Sequence, residues 1–231
     1  MNDSLPKIFC AVDTNDSQKA IKIVQSIQGL CGIKLGLEYF NAHGVKGIKD
    51  LMKAIGGDVP LFLDLKYHDI PNTVAGAISA VTYRLKPAFL NVHASGGLEM
   101  MKAAKEACPP ETKLLAVTVL TSIDKDILDS VGQGSDTSAQ VVKLALLAKE
   151  AGCDGVVCSS HEIKTIRKAC GDDFITMVPG IRPEGSNPGD QKRVMTPKEA
   201  ADIGATHLVI GRPITEADNP KQVLETILST L

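Results

Sequence analysis

The chain has 231 residues, enough to bury one full core without disulfides or a structural metal. Apolar residues make up 44% and charged residues 23%, ordinary values for a globular domain and far from those of a disordered chain. With 25 basic and 27 acidic side chains the formal charge is −2, which argues against a nucleic-acid groove or a basic membrane face. Any anion site has to be built locally.

Short apolar runs recur along the chain at Lys7–Val12, Gly32–Leu35, Leu61–Lys66, Phe89–His93, Leu114–Leu120, Gly155–Cys158, Ile175–Val178 and Leu208–Ile210. Between them lie helical patterns such as Ser17–Ile27, Val74–Leu85, Leu98–Ala107, Ala139–Ala148 and Pro197–Ile203, with Lys221–Leu231 at the end. Gly or Asp punctuates most joins. Eight β-then-α units predict a parallel sheet, and at this length a single closed (β/α)8 barrel spanning residues 1–231. An open doubly wound sheet is the alternative, but no G-x-G-x-x-G turn follows the first run. The longest irregular stretch, Gly180–Arg193, falls on the catalytic face of such a barrel, and its Gly and Pro suit a mobile lid at about 181–193 or an inert surface loop.

The six cysteines (Cys10, Cys31, Cys108, Cys153, Cys158 and Cys170) form no C-x-x-C pair and read as small buried hydrophobes in a reducing compartment. No metal site is expected from them. The N-terminus lacks a secretory pattern and no apolar run is long enough to span a membrane, so a cytoplasmic protein is expected.

Polar residues interrupt the third run. Period two places Leu63, Leu65 and Tyr67 on one face and Asp64, Lys66 and His68 on the other. A solvated edge strand would alternate the same way, but a barrel has no free edge, so Asp64 and Lys66 should point inward near the mouth. Lys34 in the second run and Asp13 after the first converge there too, where this fold places its chemistry. Gly211-Arg212 after the eighth run, with Arg182, Gln191, Lys192 and Arg193 after the seventh, suits a phosphate grip. A helix-capping Gly-Arg would fit either segment alone.

The string Asp64-Leu65-Lys66-Tyr67-His68-Asp69-Ile70-Pro71-Asn72-Thr73 closely resembles the D-x-K-x-x-D-I-P-x-T signature of the orotidine 5′-monophosphate decarboxylases. The likeness extends through Ala11-Val12-Asp13, Ile33-Lys34-Leu35-Gly36, Val119-Leu120-Thr121-Ser122, Pro179–Pro183, Asp190–Arg193 and Ile210-Gly211-Arg212. It implies that Lys66 donates a proton to pyrimidine C6 within a charge network of Lys34, Asp64, Lys66 and Asp69. It also implies that Asp69 and Thr73 reach into the neighbouring subunit's site of a homodimer. Asp13 and Lys34 would bind the ribose, Thr121 the pyrimidine edge, and Gln191 both base and phosphate. Arg212 with the Gly211 backbone would hold the phosphate, and Arg182 would line its pocket. No metal or organic cofactor is implied, and no pyridoxal or thiamine motif is evident. A Mg²⁺-dependent sugar-phosphate decarboxylase such as the 3-keto-L-gulonate 6-phosphate enzyme shares D-x-K-x-x-D, but Lys34 at the mouth would repel a metal. A silent barrel that only senses a nucleotide is the alternative from another class. His93 ends the fourth run near the mouth and reads as structural.

Overall fold

A computed structural model describes residues 5–184 and 195–231. Its strands are β1 (Ile8–Ala11), β2 (Gly32–Gly36), β3 (Leu61–Tyr67), β4 (Phe89–His93), β5 (Lys113–Val117), β6 (Gly155–Val157), β7 (Ile175–Val178) and β8 (His207–Ile210). Its helices are α1 (Ser17–Ile27), α2 (Leu37–Ile55), α3 (Pro71–Leu85), α4 (Leu98–Glu106), α5 (Lys125–Ser130), α6 (Thr137–Glu150), α7 (Ile163–Cys170), α8 (Pro197–Asp202), α9 (Arg212–Thr215) and α10 (Pro220–Leu228). The strands run parallel in chain order, and β8 pairs back onto β1. This is the closed (β/α)8 barrel that the alternation predicts.

The boundaries shift for local reasons. Helix α3 opens at Pro71 rather than Val74, because proline at the first helical position gives up an N–H that would have had no partner. Strand β5 stops at Val117 instead of reaching Leu120; Thr118 still donates its N–H to the Val157 carbonyl at 3.1 Å, and the chain then turns away. Helix α2 was not evident as a helical pattern. It carries Asn41, Gly44 and Gly47 and bends at Gly44, whose φ of 60° no ordinary helical residue would adopt.

Two apolar layers result. The larger fills the space between strands and helices and includes Ile33, Leu63, Leu65, Leu90 and Val92. The smaller fills the barrel with Phe9, Phe62, Phe89, Leu115, Val117, Met177 and Val209. Phe9, Phe62 and Phe89 meet edge to face with centroids 5.3 to 6.3 Å apart, a favoured aromatic geometry. They plug the barrel on the side where the strands begin. His207 closes that plug, its ring 5.0 Å from Phe89 and its Nδ1 2.9 Å from the Pro6 carbonyl. Gly32 leaves room for the plug, since a Cβ there would fall 2.6 Å from Phe9 Cδ1.

All six cysteines are free and buried, as small hydrophobes would be. Burial pushes the thiols of Cys31 and Cys153 up to about 12. Among the described residues no helix is long and apolar enough to cross a membrane, and no group of three or more His, Cys, Asp or Glu is placed to hold a metal.

Gly155 sits where β6 passes closest to β7, and a Cβ would collide with the Ile175 carbonyl oxygen and approach its carbonyl carbon to 2.7 Å. Gly155→Ala is expected to lower stability by about 1–3 kcal/mol, the usual cost of overpacking. Urea denaturation checks this, and an unchanged midpoint would show that β6 can shift freely.

Candidate active site

A cavity of about 490 Å³ opens where the strands end. Asp13, Lys34, Asp64 and Lys66 line one part, Arg182, Gly211 and Arg212 another, and Thr121 lies on the loop after β5 between them. Its floor is apolar, formed by Phe62, Val117, Val157 and Val209 from the inner layer.

The charged groups alternate in sign. Lys34 Nζ lies 2.9 Å from Asp13 Oδ1 and 3.4 Å from Asp64 Oδ2. Asp64 Oδ1 in turn accepts from Lys66 Nζ at 2.6 Å. Lys34 and Asp64 are each only 8% exposed, so neither charge could persist there alone. Burial by itself would push the Asp64 carboxyl up, but Lys34 and Lys66, with hydrogen bonds from Lys66 and Asn91, hold it below the usual carboxylate range. Burial would likewise pull Lys34 down, and Asp64 and Asp13 outweigh it, so its ammonium titrates above the ordinary lysine value. Gly36 makes the pairing possible, because a Cβ there would stand 3.0 Å from Lys34 Nζ and 3.3 Å from Asp13 Oδ1.

Lys66 reaches the cavity by an irregular route. Leu63 pairs with Leu90 and Tyr67 with Val92, so three residues of β3 face Asn91 alone on β4. Lys66 has φ 51°, a left-handed conformation that costs a non-glycine residue about 1–2 kcal/mol. Asn91, fully buried, spans the bulge. It accepts from the Lys66 backbone N–H at 2.8 Å and donates from Nδ2 to Asp64 Oδ1 at 2.7 Å.

At the other end, Arg182 is 8% exposed, and one of its guanidinium N–H groups donates to the Ile181 carbonyl at 2.9 Å. Burial and then the neighbouring Arg212 pull Arg182 below its usual range. Two guanidinium groups held this near each other, partly out of water, make a place where an anion is favoured.

Of the residues singled out by sequence, Asp13, Lys34, Asp64, Lys66, Thr121, Arg182, Gly211 and Arg212 share the cavity. Asp69 and Thr73 do not. They lie exposed at the start of α3, where Asp69 Oδ1 accepts from the Ile70 N–H at 2.7 Å. Gln191, Lys192 and Arg193, with most of the expected lid, lie outside the described residues. Asn91 and Gly36 were not foreseen, although a polar residue two places after the inward-facing Phe89 was a readable sign. His93 stacks at 5.6 Å on His68, and burial holds its imidazole below the usual range.

Because the folded carboxyl of Asp64 is depressed, the unfolded chain takes up that proton first as pH falls. The stabilisation is therefore complete above about pH 5, begins to fall as the unfolded carboxyl takes up its proton near pH 4, and is lost as pH drops through the lower folded value. Asp64→Asn lacks this contribution. Between about pH 5 and pH 3, the wild type should lose unfolding free energy more steeply than Asp64→Asn in urea titrations. Equal slopes would mean that the carboxylate is not coupled to folding.

Residues 6–227 match the Orotidine 5'-phosphate decarboxylase / HUMPS family. The chain is 50% identical over 229 residues to a curated orotidine 5'-phosphate decarboxylase of Rhodospirillum rubrum, an alignment covering 95% of this chain and 92% of that one. It is 49% identical over 226 residues to the Pseudoalteromonas translucida protein of the same name, with 96% and 95% covered. Among solved structures, orotidine 5'-phosphate decarboxylase from Lactobacillus acidophilus superposes with a TM-score of 0.84 at 38% identity, covering 98% of this chain and 99% of that one. The chain belongs to the orotidine 5'-phosphate decarboxylase / HUMPS family.

Proposed function

We propose that this protein converts orotidine 5′-monophosphate to uridine 5′-monophosphate and CO2, the last step of UMP synthesis, with Lys66 as proton donor. The observation that carries the reading is the run Asp13–Lys34–Asp64–Lys66, paired link by link in one cavity that also holds Arg182 and Arg212. The run supplies a fixed ammonium, and the arginines an anion grip at a distance from it.

Decarboxylation breaks the bond between C6 and its carboxylate and leaves the electron pair in an sp² orbital that the pyrimidine ring cannot readily delocalise. An ammonium held at C6 stabilises that charge as it develops, without solvent having to reorganise. Its proton then passes to C6, giving the product, and the neutral lysine regains a proton from water. Asp64, which accepts from Lys66 Nζ at 2.6 Å, fixes the direction of that ammonium.

Asp64 would also face the substrate carboxylate. Two like charges ~4 Å apart at an effective dielectric of ~20 repel by about 4 kcal/mol. Enzymes lower barriers by ~8–23 kcal/mol, so stabilisation of the carbanion has to carry most of the effect. Arg182 and Arg212 hold the phosphate far from C6, where binding energy can order the site around the reacting bond. Asp13 and Lys34 hold the ribose hydroxyls, Thr121 the pyrimidine edge, the Gly211 backbone a phosphate oxygen, and Gln191 both base and phosphate.

A second copy completes the site. In this reading Asp69 and Thr73 serve the neighbouring subunit, consistent with their position at the start of α3 outside their own chain's cavity. Ile70, 66% exposed, and Tyr83, 87% exposed, lie beside them and on the same helix, apolar area that a partner would cover. The Mg²⁺-dependent sugar-phosphate decarboxylase reading is disfavoured by Lys34, whose ammonium already stands between Asp13 and Asp64 where a cation would bind.

Ultraviolet loss of orotidine 5′-monophosphate by the purified protein should be rapid and unchanged by excess EDTA, and Lys66→Ala should lower it by at least about 10⁴-fold. No turnover by the folded wild type would overturn the assignment, and EDTA inhibition would favour the metal-dependent chemistry. Mixing inactive Lys66→Ala with inactive Asp69→Ala subunits puts both defects in one site of the heterodimer and leaves the other intact. Random reassortment of a two-fold dimer should restore about a quarter of the sites. No recovery after verified exchange would show that Asp69 serves its own chain.

A further inference from the structure

We infer that Asn91 is a positioning residue for the reaction, holding both the backbone of Lys66 and the carboxylate of Asp64 in their working geometry. It lies outside the cavity lining and has no solvent exposure, so it acts through these two residues rather than on substrate. The inference rests on the reading of Lys66 as proton donor.

The geometry admits one arrangement of the amide. Asn91 Oδ1 accepts from the Lys66 N–H at 2.8 Å, and Nδ2 donates to Asp64 Oδ1 at 2.7 Å. Turning the amide over would set two donors against each other at Lys66 and two acceptors at Asp64. The bulge in β3 removes Lys66 from the regular ladder, and its left-handed φ of 51° persists only where the surroundings enforce it. Asn91 provides that enforcement from the facing strand. It also holds the carboxylate oxygen that Lys66 Nζ grips at 2.6 Å, so a single side chain fixes the ammonium at its backbone end and at its tip.

The charged and titratable groups around Asn91 are Asp64 and Lys66 on β3, Lys34 on β2 beyond them, His93 on β4 itself and His68 after β3. From β5 the paired residue is Leu115, which is apolar. An aspartate at position 91 could accept from Lys66 but not donate to Asp64, and it would oppose Asp64 with a like charge. Protonated, it would present an O–H donor and a carbonyl acceptor, the same pattern as asparagine. Burial and Asp64 would both raise its pKa.

The test compares wild type, Asn91→Ala, Asn91→Asp and Lys66→Ala on orotidine 5′-monophosphate, with binding of product UMP as the check on folding. Asn91→Ala should lower kcat about 100-fold, the scale expected for a misplaced catalytic group, with KM within about threefold. The kcat of Asn91→Asp relative to wild type should rise at least about tenfold as pH falls from about 8 to about 5.5, whereas the ratio for Asn91→Ala stays flat. His68 and His93 are present in every protein compared, so their contribution cancels in these ratios. A kcat for Asn91→Ala within about threefold of wild type, or a defect confined to KM, overturns the proposal. If Asn91→Ala does not fold, the near-isosteric Asn91→Asp decides, and a flat ratio overturns it. Wild-type turnover by Lys66→Ala would instead overturn the reading of Lys66, a separate result.

Discussion

A buried charge needs an opposite charge within reach, and this requirement organises the mouth of the barrel. Asp13, Lys34, Asp64 and Lys66 come from three successive strands and their ends, yet they pair as one run with separations of 2.6 to 3.4 Å. Removing Asp64 leaves buried Lys34 with Asp13 alone and takes the paired carboxylate from Lys66, and breaking a buried pair costs several kcal/mol. The backbone complies with the run. Gly36 forgoes a side chain beside it, and β3 bulges to deliver Lys66.

The opposite end of the barrel makes such compliance tolerable. Phe9, Phe62 and Phe89 pack edge to face there, with His207 against them. Near the same end Asp154 gathers Lys105 at 2.5 Å, Lys113 at 3.3 Å and the Leu114 N–H at 2.9 Å, tying β5 to β6. Arg167 spans the carbonyls of Phe174 and Gly204 and so joins α7 to the strands that follow. Of these groups only Phe62 reaches the cavity, as part of its apolar floor. Stability is concentrated at one end, and strain is carried at the other.

Much of this was legible in the chain. Eight apolar runs separated by amphipathic stretches sufficed for the barrel, because parallel strands buried on both faces leave that pattern. Asp64 could be placed because Phe62 and Asp64 share a face in strict alternation. The route of Lys66 could not, since period two puts it on the right side while the actual path runs through a bulge and a positive φ. Those depend on Asn91, 25 positions away in sequence, and no local pattern encodes such a contact. Asp69 and Thr73 pose a different problem. Their place in the signature is legible, and in the folded chain they lie exposed at the start of α3, outside its own cavity.

Lys34 has a consequence of its own. Its ammonium stands between two carboxylates, 2.9 Å from Asp13 and 3.4 Å from Asp64, and is the cation that balances them. A cation tethered by a side chain cannot be chelated, outcompeted by another ion or lost on dilution. Its occupancy is set by protein synthesis alone, independent of the supply of metal in the surroundings. The same tether confines the charge to a single positive unit with no open coordination position, so the site gains constancy and forgoes the Lewis acidity a metal would bring.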